Sequence, residues 1–173
     1  YDPETGRHLW SVGGMTGWVT PSPVFGNGVL YACSGRDGPT MAVRPGGRGD
    51  VGGSHLLWRL TRGAPYVGSP VLYDGLLSVQ NESGVLACYR SDSGEQCYRT
   101  RLNGKFMSSP IAGAGQLYFT NDEGTTYVTS AGPVFRLRAK NYLNEECLAS
   151  PAVLNRDLLF RTAHHLYCIT SDD

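Results

Sequence analysis

Apolar residues come in short runs, each closed by glycine, asparagine, aspartate or proline, and one such phrase recurs four times: SPVFGNGVLYACSGRDG from Ser22, SPVLYDGLLSVQNESG from Ser69, SPIAGAGQLYFTNDEG from Ser109 and SPAVLNRDLLFRTAHH from Ser150. Successive serines lie 47, 40 and 41 residues apart. Each copy predicts a short strand after the proline, a tight turn near Gly28, Gly75, Gly115 or Arg156, and a second strand such as residues 29–32. A third strand follows, read in VLACYR from Val85, TTYVTS from Thr125 and HLYCIT from His165, with the small residues Ala42, Cys88, Val128 and Cys168 in register and so facing a crowded layer. A fourth strand closes each unit with one large ring: Trp10 in RHLWSV, Trp58 in LLWRL, Tyr98 in QCYRTRL and Phe135 in PVFRLR. A ring repeated in register is a packing device, so these four are expected to dock between neighbouring units.

Four strands every 40 to 47 residues match a propeller blade, and no 3.6-residue periodicity competes with that reading. The expected fold is all-β: one partial propeller over residues 1–173, with 1–12 the end of a preceding blade, blades at 20–62, 67–102 and 107–140, and an incomplete blade at 147–170. Pro23, Pro70, Pro110 and Pro151 open the first strands, where a missing N–H does not break a ladder. Residues 45–55 form a glycine-rich insertion between a third and a fourth strand.

Composition narrows the field further. Apolar residues make up 40% and charged ones 17%, enough for a core, while 23 glycines and 10 prolines cut it into short elements. Fifteen basic residues balance fifteen acidic ones, so no overall field draws the chain to nucleic acid. No apolar run is long enough for an integral membrane span. The chain opens at Tyr1 without methionine or a signal-like stretch, which reads as a cut in a longer parent. Five cysteines at these spacings match no disulfide scaffold and no paired C-x-x-C metal site.

In the opening stretch, Asp2, Thr5, Gly6 and Trp10 fall at the spacing D-x-x-T-G-x-x-x-W, with a weaker copy in SDSGEQCY from Ser91. Together with the recurring S-P-V phrase, this resembles the propeller repeat named after pyrroloquinoline quinone (PQQ), in the BamB-like family. The resemblance implies a periplasmic or secreted setting and a full ring of seven or eight blades, of which this chain holds about four. It also raises a quinoprotein dehydrogenase, whose chemistry needs a calcium ion, a carboxylate base and, in that family, two adjacent cysteines. No two cysteines are adjacent here and no acidic cluster has evident calcium spacing. No catalytic, cofactor or metal residues are therefore assigned.

The remaining candidates have plain readings. Cys88 and Cys168 share the small-residue register and read as buried packing thiols, with a Cys88–Cys97 bridge across adjoining strands, or an approach of Cys147 to Cys168, as alternatives. His164 and His165, neighbours on a strand, point to opposite faces, cannot easily share a metal, and read as turn or surface residues. The tripeptide at 48–50 reads as exposed loop. Arg59, Arg62, Arg99, Arg101, Arg136, Arg138 and Lys140 follow the docking rings and read as protection of an outer edge. Ser22, Ser69, Ser109 and Ser150 begin the innermost strands and should ring one mouth of the channel, where they could contact a ligand.

The function these readings support is a non-catalytic scaffold binding a protein or extended ligand. The rivals are a quinoprotein dehydrogenase fragment and a carbohydrate-binding propeller using Trp18, Tyr66 or Tyr142. Residues 7–12 are a spare fourth strand and the last unit lacks one. The ring is expected to close by sharing that blade with a second copy, or by the missing N-terminal half of a parent.

Overall fold

The computed structural model describes residues 1–170, so the SDD end of the LYCITSDD tail lies outside the described residues. A short strand β1 (Trp10–Ser11) precedes a four-stranded sheet of β2 (Val24–Gly26), β3 (Val29–Cys33), β4 (Thr40–Val43) and, after the insertion carrying β5 (Gly49–Asp50) and a single helical turn α1 (Gly52–His55), β6 (Leu56–Leu60). The second sheet contains β7 (Val71–Tyr73), β8 (Leu76–Gln80), β9 (Val85–Arg90) and β10 (Gln96–Arg101). The third contains β11 (Ile111–Gly113), β12 (Gln116–Thr120), β13 (Thr125–Ser130) and β14 (Leu137–Tyr142). The last has three strands among the described residues: β15 (Ala152–Leu154), β16 (Asp157–Arg161) and β17 (Leu166–Ile169). Each sheet is an antiparallel meander in chain order, the pattern of a propeller blade.

Local chemistry accounts for the meander. The first hairpins turn on two residues, Asn27–Gly28, Asp74–Gly75 and Ala114–Gly115, with φ of +53° and +75°, +47° and +73°, and +50° and +73°. Such left-handed pairs match the twist of the flanking strands, and glycine at the second place carries no steric cost. The third and fourth strands meet through a bulge in every complete sheet. One extra residue, Leu57, Cys97 or Arg138, sits just before the position paired with Ala42, Cys88 or Val128.

The core lies between sheets. One cluster joins Tyr31, Cys33 and Ala42 of the first sheet to Leu77, Val79, Ala87 and Tyr89 of the second, and another joins Leu86 to Leu117, Phe119 and Tyr127 of the third. The first strands β2, β7 and β11 approach one another from sheet to sheet, so they form the inner row.

Two expectations are corrected here. Phe135 is not on a fourth strand: β14 starts at Leu137, and the residue paired with Val128 in the docking register is Ala139. The β13–β14 turn has one more residue than its β9–β10 counterpart, Ser130 N–H reaching Arg136 O where Arg90 N–H reaches Glu95 O, which shifts Phe135 into the turn. Residues 7–12 are not a spare fourth strand either. Trp10 and Ser11 pair in parallel with Gly49 and Asp50, and the Gly49 and Val51 N–H groups donate to Leu9 O and Ser11 O at 2.9 Å. The insertion offers unpaired backbone groups close by along the chain, so this pairing closes the shorter loop.

Candidate functional site

Three features could carry function: the seams where sheets dock, the two outward faces of the end sheets, and the rim of turns between second and third strands.

At the seams each ring meets the next sheet's turn. Trp58, half-buried, donates its indole N–H to Ser91 O at 2.9 Å and lies over Gly94, where an added Cβ would stand 2.8 Å from the ring and φ is +73°. Only glycine fits there. Tyr98 makes the equivalent reach, and Phe135 in the next turn receives it at 5.7 Å between centroids and a 58° tilt. Phe135 is thus the platform for a docking ring. The opening motif builds the same turn: Asp2 N–H donates to Arg7 O and Gly6 N–H to Asp2 O, while the Asp2 carboxylate accepts from the Thr5 and Glu4 amides, which lower its pKa. Trp10 is half-buried, and its strand pairs with Gly49 and Asp50 of the 45–55 insertion.

The four serines form a ladder. Ser22 N–H donates to Ser69 Oγ at 2.9 Å, Ser69 N–H to Ser109 Oγ at 2.9 Å, and Ser109 N–H to Ser150 Oγ at 2.8 Å. They therefore tie neighbouring inner strands to each other. Ser22 and Ser150, at the two ends, are exposed.

The end faces differ from the seams. Register aligns Leu166 with Leu86, Leu154 with Tyr73 and Cys168 with Cys88. Leu86 is 0% exposed and Leu166 71%, while Leu154 is 53% exposed. At the other end Phe25, aligned with Leu72 in the first seam, is 63% exposed. Cys168 is also exposed, which corrects its reading as a buried thiol: no sheet covers that face among the described residues. All five cysteines are free, and Cys147 directs its thiol to Ala149 O and Arg161 O and away from Cys168.

The rim holds the polar chemistry. Glu145, in the connection to the last sheet, accepts from the Thr162 hydroxyl at 2.7 Å, the His164 N–H at 2.8 Å and the Tyr167 hydroxyl at 3.2 Å, and pairs with His165 Nδ1 at 3.0 Å. The Thr162 bond above all, with His165, His164 and Tyr167, pulls its pKa down to about 2. Both histidines lie in the turn before β17, so the expectation that they share a strand is corrected, and His165 has a structural partner in Glu145. Arg36 lies between Trp18 and Tyr66, 5.5 and 4.6 Å from their centroids, so two of the three candidate sugar-stacking rings already share a cation. The third, Tyr142, is exposed on β14 beside Lys140. The basic residues of β6, β10 and β14 occupy strands at the margin of their sheets, and residues 48–50 are exposed.

Among the described residues no three His, Cys, Asp or Glu side chains are placed to hold a metal ion, and Cys33 and Cys88 are buried in separate seams. Among the same residues no helix is long and apolar enough to cross a membrane.

Sheet topology, docked rings and the serine ladder define a β-propeller built from PQQ-like repeats. Residues 1–133 match the sequence profile of the family described as outer membrane protein assembly factor BamB, and the chain belongs to that family. No curated protein sequence matches it. Among solved structures it is similar to BamB from Moraxella catarrhalis, at 14% identity and a TM-score of 0.69, covering 87% of this chain and 46% of that one. It also resembles a quinohemoprotein alcohol dehydrogenase, ADHIIG, from Pseudomonas putida HK5, at 13% identity and a TM-score of 0.69, covering 89% and 30%. The computationally designed Ika4 protein matches at 12% identity and a TM-score of 0.75, covering 96% of this chain and 99% of that one. The chain therefore spans about half the length of the BamB it resembles, and at these identities the likeness is one of fold.

Proposed function

We propose that this chain is a non-catalytic propeller scaffold in the cell envelope or outside the cell, and that it binds protein through the outward faces of its first and last sheets. One observation carries the reading: Leu154 and Leu166 are exposed at register positions whose equivalents in the second sheet, Tyr73 and Leu86, pack into a seam. A face shaped for a neighbouring blade, left open, is an apolar binding surface. The partner of best fit is another set of blades, a second copy of the chain or the rest of a longer ring. Phe25 and Leu30 of the partner would meet Leu154 and Leu166, and Ser150 N–H would donate to the partner's Ser22 Oγ as the next rung.

The family's description, an outer membrane protein assembly factor, supports the envelope setting. Light scattering over a range of concentrations tests the reading. The chain is expected to run larger than a monomer and Leu166→Glu to run as a monomer. A monomer at every concentration in both proteins would refute binding to a second copy, and failure of Leu166→Glu to weaken capture of the missing blades, supplied in trans, would refute the surface itself. The alternative, a dehydrogenase fragment, draws on the likeness to ADHIIG, and turnover of alcohol with added PQQ and calcium, abolished by chelator, would favour it.

A further inference from the structure

The bulge repeated in every complete sheet sets one extra residue of the fourth strand beside the small-residue position of the third: Leu57 beside Ala42, Arg138 beside Val128, and Cys97 beside Cys88. Only in the second sheet are both members cysteines. At such a bulge two residues face one, so Cys97 and Tyr98 both oppose Cys88. Tyr98 is the direct partner and Cys97 the extra residue beside it, with its thiol within hydrogen-bond reach of Cys88, the close approach a disulfide requires. From this geometry we infer that Cys88 and Cys97 form a reversible dithiol–disulfide pair, a modification site that ties the docking strand β10 to β9.

The surroundings fit the step. The Cys97 thiol is close enough to raise the pKa of Cys88, and Cys88 borders a small void between the second and third sheets with Ser78, Tyr73 and Leu117. Burial, then the neighbouring Cys97, pushes the Cys88 thiol up to about 11, so Cys88 is a poor first nucleophile. Cys97 is half-buried and has access to solvent.

The oxidant is a small dialkyl disulfide such as oxidised glutathione. The Cys97 thiolate attacks one of its sulfurs, forming a mixed disulfide and releasing one thiolate. Cys88, after losing its proton to solvent, attacks Cys97 Sγ, forming the protein S–S bond and expelling the second thiolate. Two protein thiols are oxidised and one dialkyl disulfide is reduced to two thiols.

The other cysteines have no such arrangement. Cys33 Sγ lies 3.4 Å from Thr40 Oγ1 in the first seam, Cys147 is held by two carbonyls, and Cys168 is exposed on β17 opposite Leu159. Because Cys168 would add unrelated intermolecular bridges, the test uses Cys168→Ser as the parent protein. Reduced protein is equilibrated in a series of glutathione redox buffers, quenched with alkylating agent, and read by intact mass and peptide mapping. The expected result is loss of two titratable thiols, seen as two fewer alkyl groups on the intact protein, mapped to a disulfide-linked peptide pair holding residues 88 and 97, and reversed by excess reduced glutathione. Adding Cys97→Ser should abolish the loss, and Cys88→Ser should trap the glutathione adduct on Cys97. A stable adduct on Cys97 with Cys88 still reduced in the parent, or no loss of thiols at any buffer composition, would overturn the assignment. The redox buffer is defined in the tube, so the result does not depend on the compartment or on the end-face binding above.

Discussion

The second sheet and the last are copies of one unit, and they differ most where their sequences agree. Leu86 and Leu166 occupy the same place on the third strand, yet one is 0% and the other 71% exposed. The second sheet has a neighbour on both sides and the last has one among the described residues. Burial in this architecture is therefore a property of the stack. A repeat carries the side chains, and the next repeat supplies the free energy of covering them.

That contrast can be broken by paired truncations. Leu86→Ala should destabilise the fold by about 2 to 5 kcal/mol, the usual range for a fully buried leucine, seen as a lower midpoint in denaturant. Equal costs for Leu86→Ala and Leu166→Ala in the monomer would mean that the stack does not set burial. Trp58→Ala removes a half-buried ring and its bond to Ser91 O, and is expected to cost about 3 kcal/mol in the same measurement, with Trp58→Phe recovering most of it.

Glu145 sharpens the contrast by pH. Its folded-state pKa is depressed from 4.5 to about 2, so the stability it contributes is fully present above 4.5 and is lost as pH falls toward 2. Amide exchange in β16 and β17 should rise across that window while the second sheet holds, and Glu145→Gln should abolish the pH step. Uniform exchange across the sheets would show that Glu145 does not fasten the last one. The smallest effect is expected for Leu166→Ala, within about 0.5 kcal/mol of the parent when the chain is monomeric, since an exposed side chain has little burial to lose.

Much of this was legible in the sequence. The spacing of Ser22, Ser69, Ser109 and Ser150 marks the inner strands, and the proline after each marks where pairing starts. Trp58 was readable as a docking ring because its place relative to LLWRL is unshifted. Phe135 misled because one extra residue in a turn moves a ring off its strand while leaving the apolar pattern intact, and the missing signal was the count from Ser130 to Arg136. The serine ladder was hidden for another reason. Periodicity shows that the serines are equivalent, whereas the partner of each lies in the next copy, at a separation only the fold reveals.

Every rung of that ladder runs the same way, backbone N–H forward to the hydroxyl of the next copy. The two ends of the row are therefore unlike, a donor at Ser150 and an acceptor at Ser22, and two chains joined by continuing the row meet head to tail. Such heterologous joining has no built-in stop. If the rotation from sheet to sheet divides a full turn the assembly closes as a ring, and if it does not the same contact propagates as an open helical filament. The angle between neighbouring sheets then decides between a finite particle and a fibre.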